Sequence, residues 1–275
     1  MAHLLVVLSL LLAAIQLFAS QEVQLNEEGC GTAPEAVVNG MSARPHQFPW
    51  VVFLELHFPS LKTRCGGSII TKRHVLTAAH CTIQGDTEIV AIYVIYGHAD
   101  ISRGARVRVA KLLRHQKYDD KLIFNDIAIL LVEKPFRYGV EVKPICFPTK
   151  PLNAYNKNAV IAGWGKLSEF GNTSDHLQFT IVKIQPNEVC EKLYTDSYRK
   201  DITYCAFHND TGSCFGDSGS PLFMQADKGR YTQVGIVSHG FSCESPIVYA
   251  KVEGFIDWVV NAIRSLKGYK DLAPQ

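Results

Sequence analysis

From Trp50 onward the sequence is cut into short β-rich runs separated by turn residues, and no other feature limits its fold so tightly. The runs are Trp50–Phe58, Ser68–Ile70, Ile89–Tyr96, Arg106–Leu113 and Ile127–Glu133. They continue after a break with Ala159–Trp164, Thr180–Ile184, Pro221–Met224, Tyr231–Ser238 and Ile247–Lys251. Many short strands with regular turn signals predict an all-β chain, built as closed antiparallel barrels or as a sandwich. Residues 144–158, rich in Pro and Asn, read as the connection between two halves. Near the end Phe255, Val259, Ile263 and Leu266 recur at steps of three and four, the spacing of one helix face, which predicts a closing helix over about 254–267.

The beginning of the chain reads differently. Residues 4–19 are apolar and end in small residues, too short for a comfortable membrane span and shaped like a secretory signal peptide, so 1–19 is expected to be a signal. Residues 20–36 read as a polar leader, and 37–275 as the folded domain. All 28 Lys and Arg follow residue 36. Four of the 26 acids (Glu22, Glu27, Glu28 and Glu35) precede it, leaving 28 bases against 22 acids in the domain. A net charge of +2 for the whole chain argues for neither a nucleic-acid nor a membrane partner. Eight cysteines in an exported chain predict four disulfides, whose connectivity spacing alone leaves open. A zinc site is the rival reading, but no pair has the tight two-residue spacing of structural zinc ligands.

Chemistry concentrates in Cys214-Phe215-Gly216-Asp217-Ser218-Gly219-Ser220-Pro221. The glycines let the backbone bend so that a hydroxyl stands out and nearby N–H groups converge, the requirement for holding an oxyanion. Alone, Gly-Asp-Ser-Gly also suits an ordinary polar turn. A serine becomes a nucleophile only with a base and a group that orients the base. Leu76-Thr77-Ala78-Ala79-His80-Cys81 offers His80. Asn125-Asp126-Ile127-Ala128 offers Asp126 at the mouth of an apolar strand, where a lone carboxylate is costly. The chain order is His, Asp, Ser.

On these three motifs the chain resembles the chymotrypsin, trypsin and elastase family of secreted proteases, over roughly Val37 to Lys267. The resemblance implies a chymotrypsin-like fold of two antiparallel six-stranded β-barrels, over about 50–145 and 159–253, with a C-terminal helix. It implies Ser218 as nucleophile, His80 as general base and then acid, and Asp126 as orienter, with the N–H groups of Gly216 and Ser218 as oxyanion hole. Ser238 matches the serine that supports the aspartate and lines the cleft. Gly212 falls at the base of the primary specificity pocket, Ser213 and Gly216 along it, Gly240 at its entrance and Ile247 in its back wall. The implied disulfides are Cys30–Cys146, Cys65–Cys81, Cys190–Cys205 and Cys214–Cys243. Val37 resembles the family's new amino terminus, which would pair with Asp217 after a cut behind Ala36.

The departures from the family pattern carry information too. His239 stands where relatives usually carry Trp, and Ser220 where they carry Gly. Neither Gly212 nor Ile247 supplies the carboxylate a buried Lys or Arg side chain needs, so tryptic specificity is not expected. Small to medium apolar residues are favoured, with aromatic preference as the second reading and graded discrimination in either case. Pro34-Glu35-Ala36 holds no basic residue, so activation is expected by an elastase-like cut, made by the enzyme itself or by another protease. The loop Gly97–Gly104 lacks the calcium-binding glutamates of family trypsins, so neither calcium nor any other cofactor is expected. Asn172-Thr173-Ser174 and Asn209-Asp210-Thr211 are glycosylation sequons. The expected partners of a monomer are protein or peptide substrates and protein inhibitors. The competing class is a non-catalytic homologue acting as a binding protein or cofactor. Such homologues usually lose a triad residue, and all three are present here.

Overall fold

The computed structural model describes residues 23–33, 42–165, 172–207, 218–226, 229–240 and 245–267. Six strands close the first barrel: β1 (Val51–His57), β2 (Lys62–Ile69), β3 (His74–Thr77), β6 (Ala91–Tyr96), β7 (Ala105–Arg114) and β8 (Ala128–Val132). Their order around the barrel is β1-β2-β3-β8-β7-β6. A two-stranded ribbon, β4 (Ile83–Gln84) with β5 (Thr87–Glu88), stands beside it. The second barrel holds β9 (Asn158–Gly163), β10 (Gln178–Ile184), β11 (Thr203–Phe207), β12 (Pro221–Gln225), β13 (Tyr231–His239) and β14 (Ile247–Lys251). It closes in the order β10-β11-β14-β13-β12-β9. Every strand pairing is antiparallel, so the barrel reading holds and the sandwich does not.

Apolar runs located most strands, but β2 begins well before its apolar stretch. Lys62, Thr63 and Arg64 are exposed, yet they pair with His57, Leu56 and Glu55 of β1. Backbone pairing with β1 fixes this polar edge, while Arg64 itself donates to Thr173 Oγ1 at 3.0 Å and lies over the Phe53 ring. The closing helix is shorter than its apolar spacing suggested. A 3₁₀ turn, Val252–Phe255, leads into α2 (Ile256–Lys267), the short α1 (Asn187–Leu193) having come earlier. Phe255, Val259, Ile263 and Leu266 are all buried, α2 packs on β8, and the Trp258 indole N–H donates to Gln116 Oε1 at 2.9 Å.

An aromatic seam joins the barrels. Phe48 and Trp50 lead into β1, and each lies edge-on to Phe223 of β12, with ring centroids 5.3 and 5.4 Å away. Phe48 also meets Phe179 of β10 at 5.3 Å, and Trp50 meets Tyr231 of β13 at 5.5 Å. Such pairs contribute about 0.5–1.5 kcal/mol each beyond their buried area.

Segment 23–33 packs on the connection between the barrels and on β13. Cys30 is disulfide-bonded to Cys146, in the connection between the barrels. The Gly31 N–H donates to Pro144 O, and Gly31 O accepts from the Tyr231 N–H, both at 2.9 Å. Asn26 holds Phe147 from both sides: its amide donates to Phe147 O at 3.0 Å, and its carbonyl accepts from the Phe147 N–H at 2.6 Å. Gly31 has φ +64°, and a Cβ there would stand 2.1 Å from Tyr231 O, so only glycine fits.

Candidate active site

β3 leads the chain to His80. Ala78 and Ala79 are fully buried, and the turn His80–Thr82 is closed by the Thr82 N–H and hydroxyl, both donating to Ala79 O. The Cys65–Cys81 disulfide ties this turn back to β2. Asp126 comes just before β8, the antiparallel neighbour of β3, with Ala128 paired to Thr77. Asn125 adopts φ +54°, a conformation that Asn tolerates, and anchors its amide on Lys117 O at 2.7 Å, which turns Asp126 inward.

Asp126 is 1% exposed, and both its oxygens are occupied. Oδ1 accepts from the His80 backbone N–H at 2.9 Å, and Oδ2 from His80 Nδ1 at 2.7 Å and the Ser238 hydroxyl at 2.6 Å. A carboxylate accepts only, so His80 carries its proton on Nδ1 and keeps a lone pair on Nε2. Burial opposes charge on the imidazole, yet the charge and hydrogen bond of Asp126 outweigh it, and His80 titrates above the ordinary 6.5. For Asp126 burial works upward, and the His80 charge with the hydrogen bonds of His80 and Ser238 brings it below the usual carboxylate range. Tyr118 faces the same carboxylate. Burial first, then the charge of Asp126, holds its phenol protonated well above the ordinary range.

Ser218 sits in a turn gripped by both barrels. The Gly66 N–H of β2 donates to Ser218 O at 2.8 Å, while the Gly219 N–H donates to Val237 O and the Val237 N–H to Ser220 O, both at 2.9 Å. Gly219 has φ +83°, and a Cβ there would stand 2.3 Å from Thr77 Oγ1 and 2.6 Å from Gly66 O. The turn and the imidazole border one sulfur, Cys81 Sγ: Ser218 O lies 3.5 Å from it and His80 Nε2 3.8 Å. Cys65, His80 and Cys81 form a cluster of metal-ligand type, but two of the three are bonded to each other and offer no thiolate.

Thus His80, Asp126, Ser218 and Ser238 come together. Gly240 and Ile247 are neighbours as well, with Ile247 Cγ1 3.3 Å from where a Cβ on Gly240 would stand. Asn172 is exposed, and its neighbour Thr173 accepts from Arg64 Nη1 at 3.0 Å. Cys190 and Cys205 are bonded. In the loop 97–104 the lone carboxylate, Asp100, caps its own turn by accepting from the Ser102 N–H and hydroxyl. Gly212, Ser213, Gly216, Asp217, Ala36, Val37, Asn209, Cys214 and Cys243 lie outside the described residues.

Sequence reasoning missed the residues that hold the Ser218 turn. Gly66 must be bare because a Cβ would meet Ser220 Oγ at 1.9 Å, and Thr77 donates to Gly66 O at 2.8 Å. The Gly66-Gly67 pair inside β2 was the available signal, since glycine inside a strand marks a close backbone approach. Ser220 itself is fully buried, and its hydroxyl has no partner among the described residues.

Comparison with known proteins fits this geometry. The Trypsin family model matches residues 37–259. The chain is 36% identical over 259 residues to the clotting factor G beta subunit of Tachypleus tridentatus, covering 86% of this chain and 82% of that one. It is 33% identical over 260 residues to the serine protease filzig of Drosophila melanogaster, covering 88% of this chain but 15% of that much longer protein. Among solved structures, the Drosophila Grass clip serine protease of the Toll pathway superposes with a TM-score of 0.72 at 27% identity, covering 88% of this chain and 77% of that one.

Proposed function

The chain belongs to the trypsin family of serine proteases, and on that premise we propose that it is a secreted serine endopeptidase of non-tryptic specificity, made as a zymogen and cut before Val37. The observation that carries the reading is the three-donor cradle of Asp126. A buried carboxylate bonded to His80 Nδ1 is expensive to maintain and leaves Nε2 basic, beside the turn that carries Ser218.

Ser218 Oγ attacks the peptide carbonyl while His80 Nε2 takes its proton, and the N–H groups of Gly216 and Ser218 hold the oxyanion. As the C–N bond breaks, His80 returns the proton to the leaving amine and an acyl ester remains on Ser218. Water, deprotonated by His80, then releases the acid. Ile247 standing against Gly240 supports a shallow pocket for Ala, Val or Leu. The leader stays attached through Cys30–Cys146 after the cut. Asn172 and Asn209 carry glycans, the first on an exposed side chain.

The test is a peptide panel varying only the residue before the scissile bond, with protein released at Val37 and Ser218→Ala as the blank. Turnover is expected after Ala, Val and Leu and not after Arg. Turnover confined to Phe and Tyr would mean a deeper pocket than Ile247 suggests. Turnover no higher than the blank would leave the chain a binding protein.

A further inference from the structure

A β-bulge in β13 sets side by side two side chains that a regular strand would hold apart. Successive strand residues point to opposite faces, but the register with β14 slips between Val237 and His239. Ser238 Oγ consequently lies 3.2 Å from His239 Nδ1.

The protons in this contact can be assigned. Ser238 has one hydrogen to give, and its oxygen lies 2.6 Å from Oδ2 of Asp126, which can only accept. That hydrogen goes to Asp126. The contact with His239 then has one sense: His239 donates from Nδ1 to the Ser238 oxygen. A neutral ring with its proton on Nδ1 has none on Nε2, and Nε2 is buried with no partner among the described residues. A second proton there would meet no acceptor among the described residues. The ring is further kept neutral by burial, which, with the nearby His80, outweighs the pull of Asp126. Among the described residues, those two are the charged groups that act on His239. Tyr194 meets its ring edge-on at 5.8 Å and spends its hydroxyl on Pro246 O, and Tyr118 faces Asp126.

We infer that His239 is a positioning residue for the His80–Asp126 pair, acting as a neutral donor that fixes Ser238 as a donor to the carboxylate and tempers the charge Asp126 presents to His80. Donation to a hydroxyl oxygen makes its hydrogen a stronger donor. A better-served carboxylate holds the His80 proton less tightly. The tryptophan usual at this position in the family has no nitrogen so placed. The inference rests on the protease reading above, and its test separates the two.

With a short N-acetyl-leucine ester, kcat/KM is measured against pH for the wild type, His239→Phe and His239→Asn. Phenylalanine keeps a ring but no donor, whereas the asparagine amide can reach the Ser238 oxygen. The acid limb is expected to move up by about 0.3–0.5 pH unit in His239→Phe and to return most of the way in His239→Asn. An unmoved limb in His239→Phe overturns the inference. In parallel, ¹⁵N-histidine NMR on the Ser218→Ala protein reads the rings without turnover. It should show the His239 proton on Nδ1, and a His80 midpoint that rises when His239→Phe is added. A proton on Nε2, or an unmoved midpoint, overturns the inference again. A wild type without turnover would count against the protease reading alone, because the NMR midpoints still decide the role of His239.

Discussion

With Nδ1 of His80 committed to Asp126, the basicity of the ring resides at Nε2, and the raised titration of His80 fixes where it becomes usable. A base must be unprotonated to act, so kcat/KM should fall as pH drops through a value above the 6.5 of a free imidazole. Asp126→Asn keeps the shape but removes the charge and permits the wrong tautomer. It should lower kcat by about 10³–10⁴-fold and move the acid limb down, which a pH–rate profile would show. That His80, Asp126 and Ser218 meet was legible in the sequence because each lies in a short local motif. Gly66, Thr77 and the Ser238–His239 contact were not, because their roles arise from atoms far away in the chain or from a bulge that no residue type announces.

Among the elements, segment 23–33 shows how one residue can hold a stretch of chain. Gly31 pairs with Pro144 and Tyr231 at the meeting of the inter-barrel connection and β13, in a conformation that L side chains resist. Gly31→Ala adds a left-handed strain of about 1–2 kcal/mol and drives a methyl against Tyr231 O. A total loss on the order of 3 kcal/mol is expected in urea unfolding, with segment 23–33 more open to proteolysis. Apart from the Cys30–Cys146 pairing that the resemblance implied, the polar stretch with glycines carried no sign of how it docks, since the partners of Asn26 and Gly31 lie more than a hundred residues away. The charged start of β2 and the whole of β3 and β11 were hidden too, because their pairing partners decide their conformation. β8 was legible because its five residues form an unbroken aliphatic run, whereas β3 and β11, buried nearly as fully, carry polar residues among their apolar ones.

For the whole molecule, the ion pair ties stability to pH in a bounded window. Asp126 titrates below its unfolded value near 3.9, so its contribution is present above that pH and is lost as pH falls through the depressed folded value. His80 titrates above its unfolded value near 6.5, so its contribution is full below that pH and is lost as pH rises through the raised folded value. The stability advantage of wild type over Asp126→Asn should therefore plateau between about pH 4 and 6.5 and shrink on both sides. Urea midpoints across that range would check it.

The candidate site is also divided between the barrels. His80 and Asp126 belong to the first, Ser218 and Ser238 to the second, and the aromatic seam of Phe48, Trp50, Phe179, Phe223 and Tyr231 brings them into register. A molecule whose halves have each folded but not yet met holds a base without its nucleophile and a nucleophile without its base. The hydrolysis proposed above would thus wait until the two halves have met.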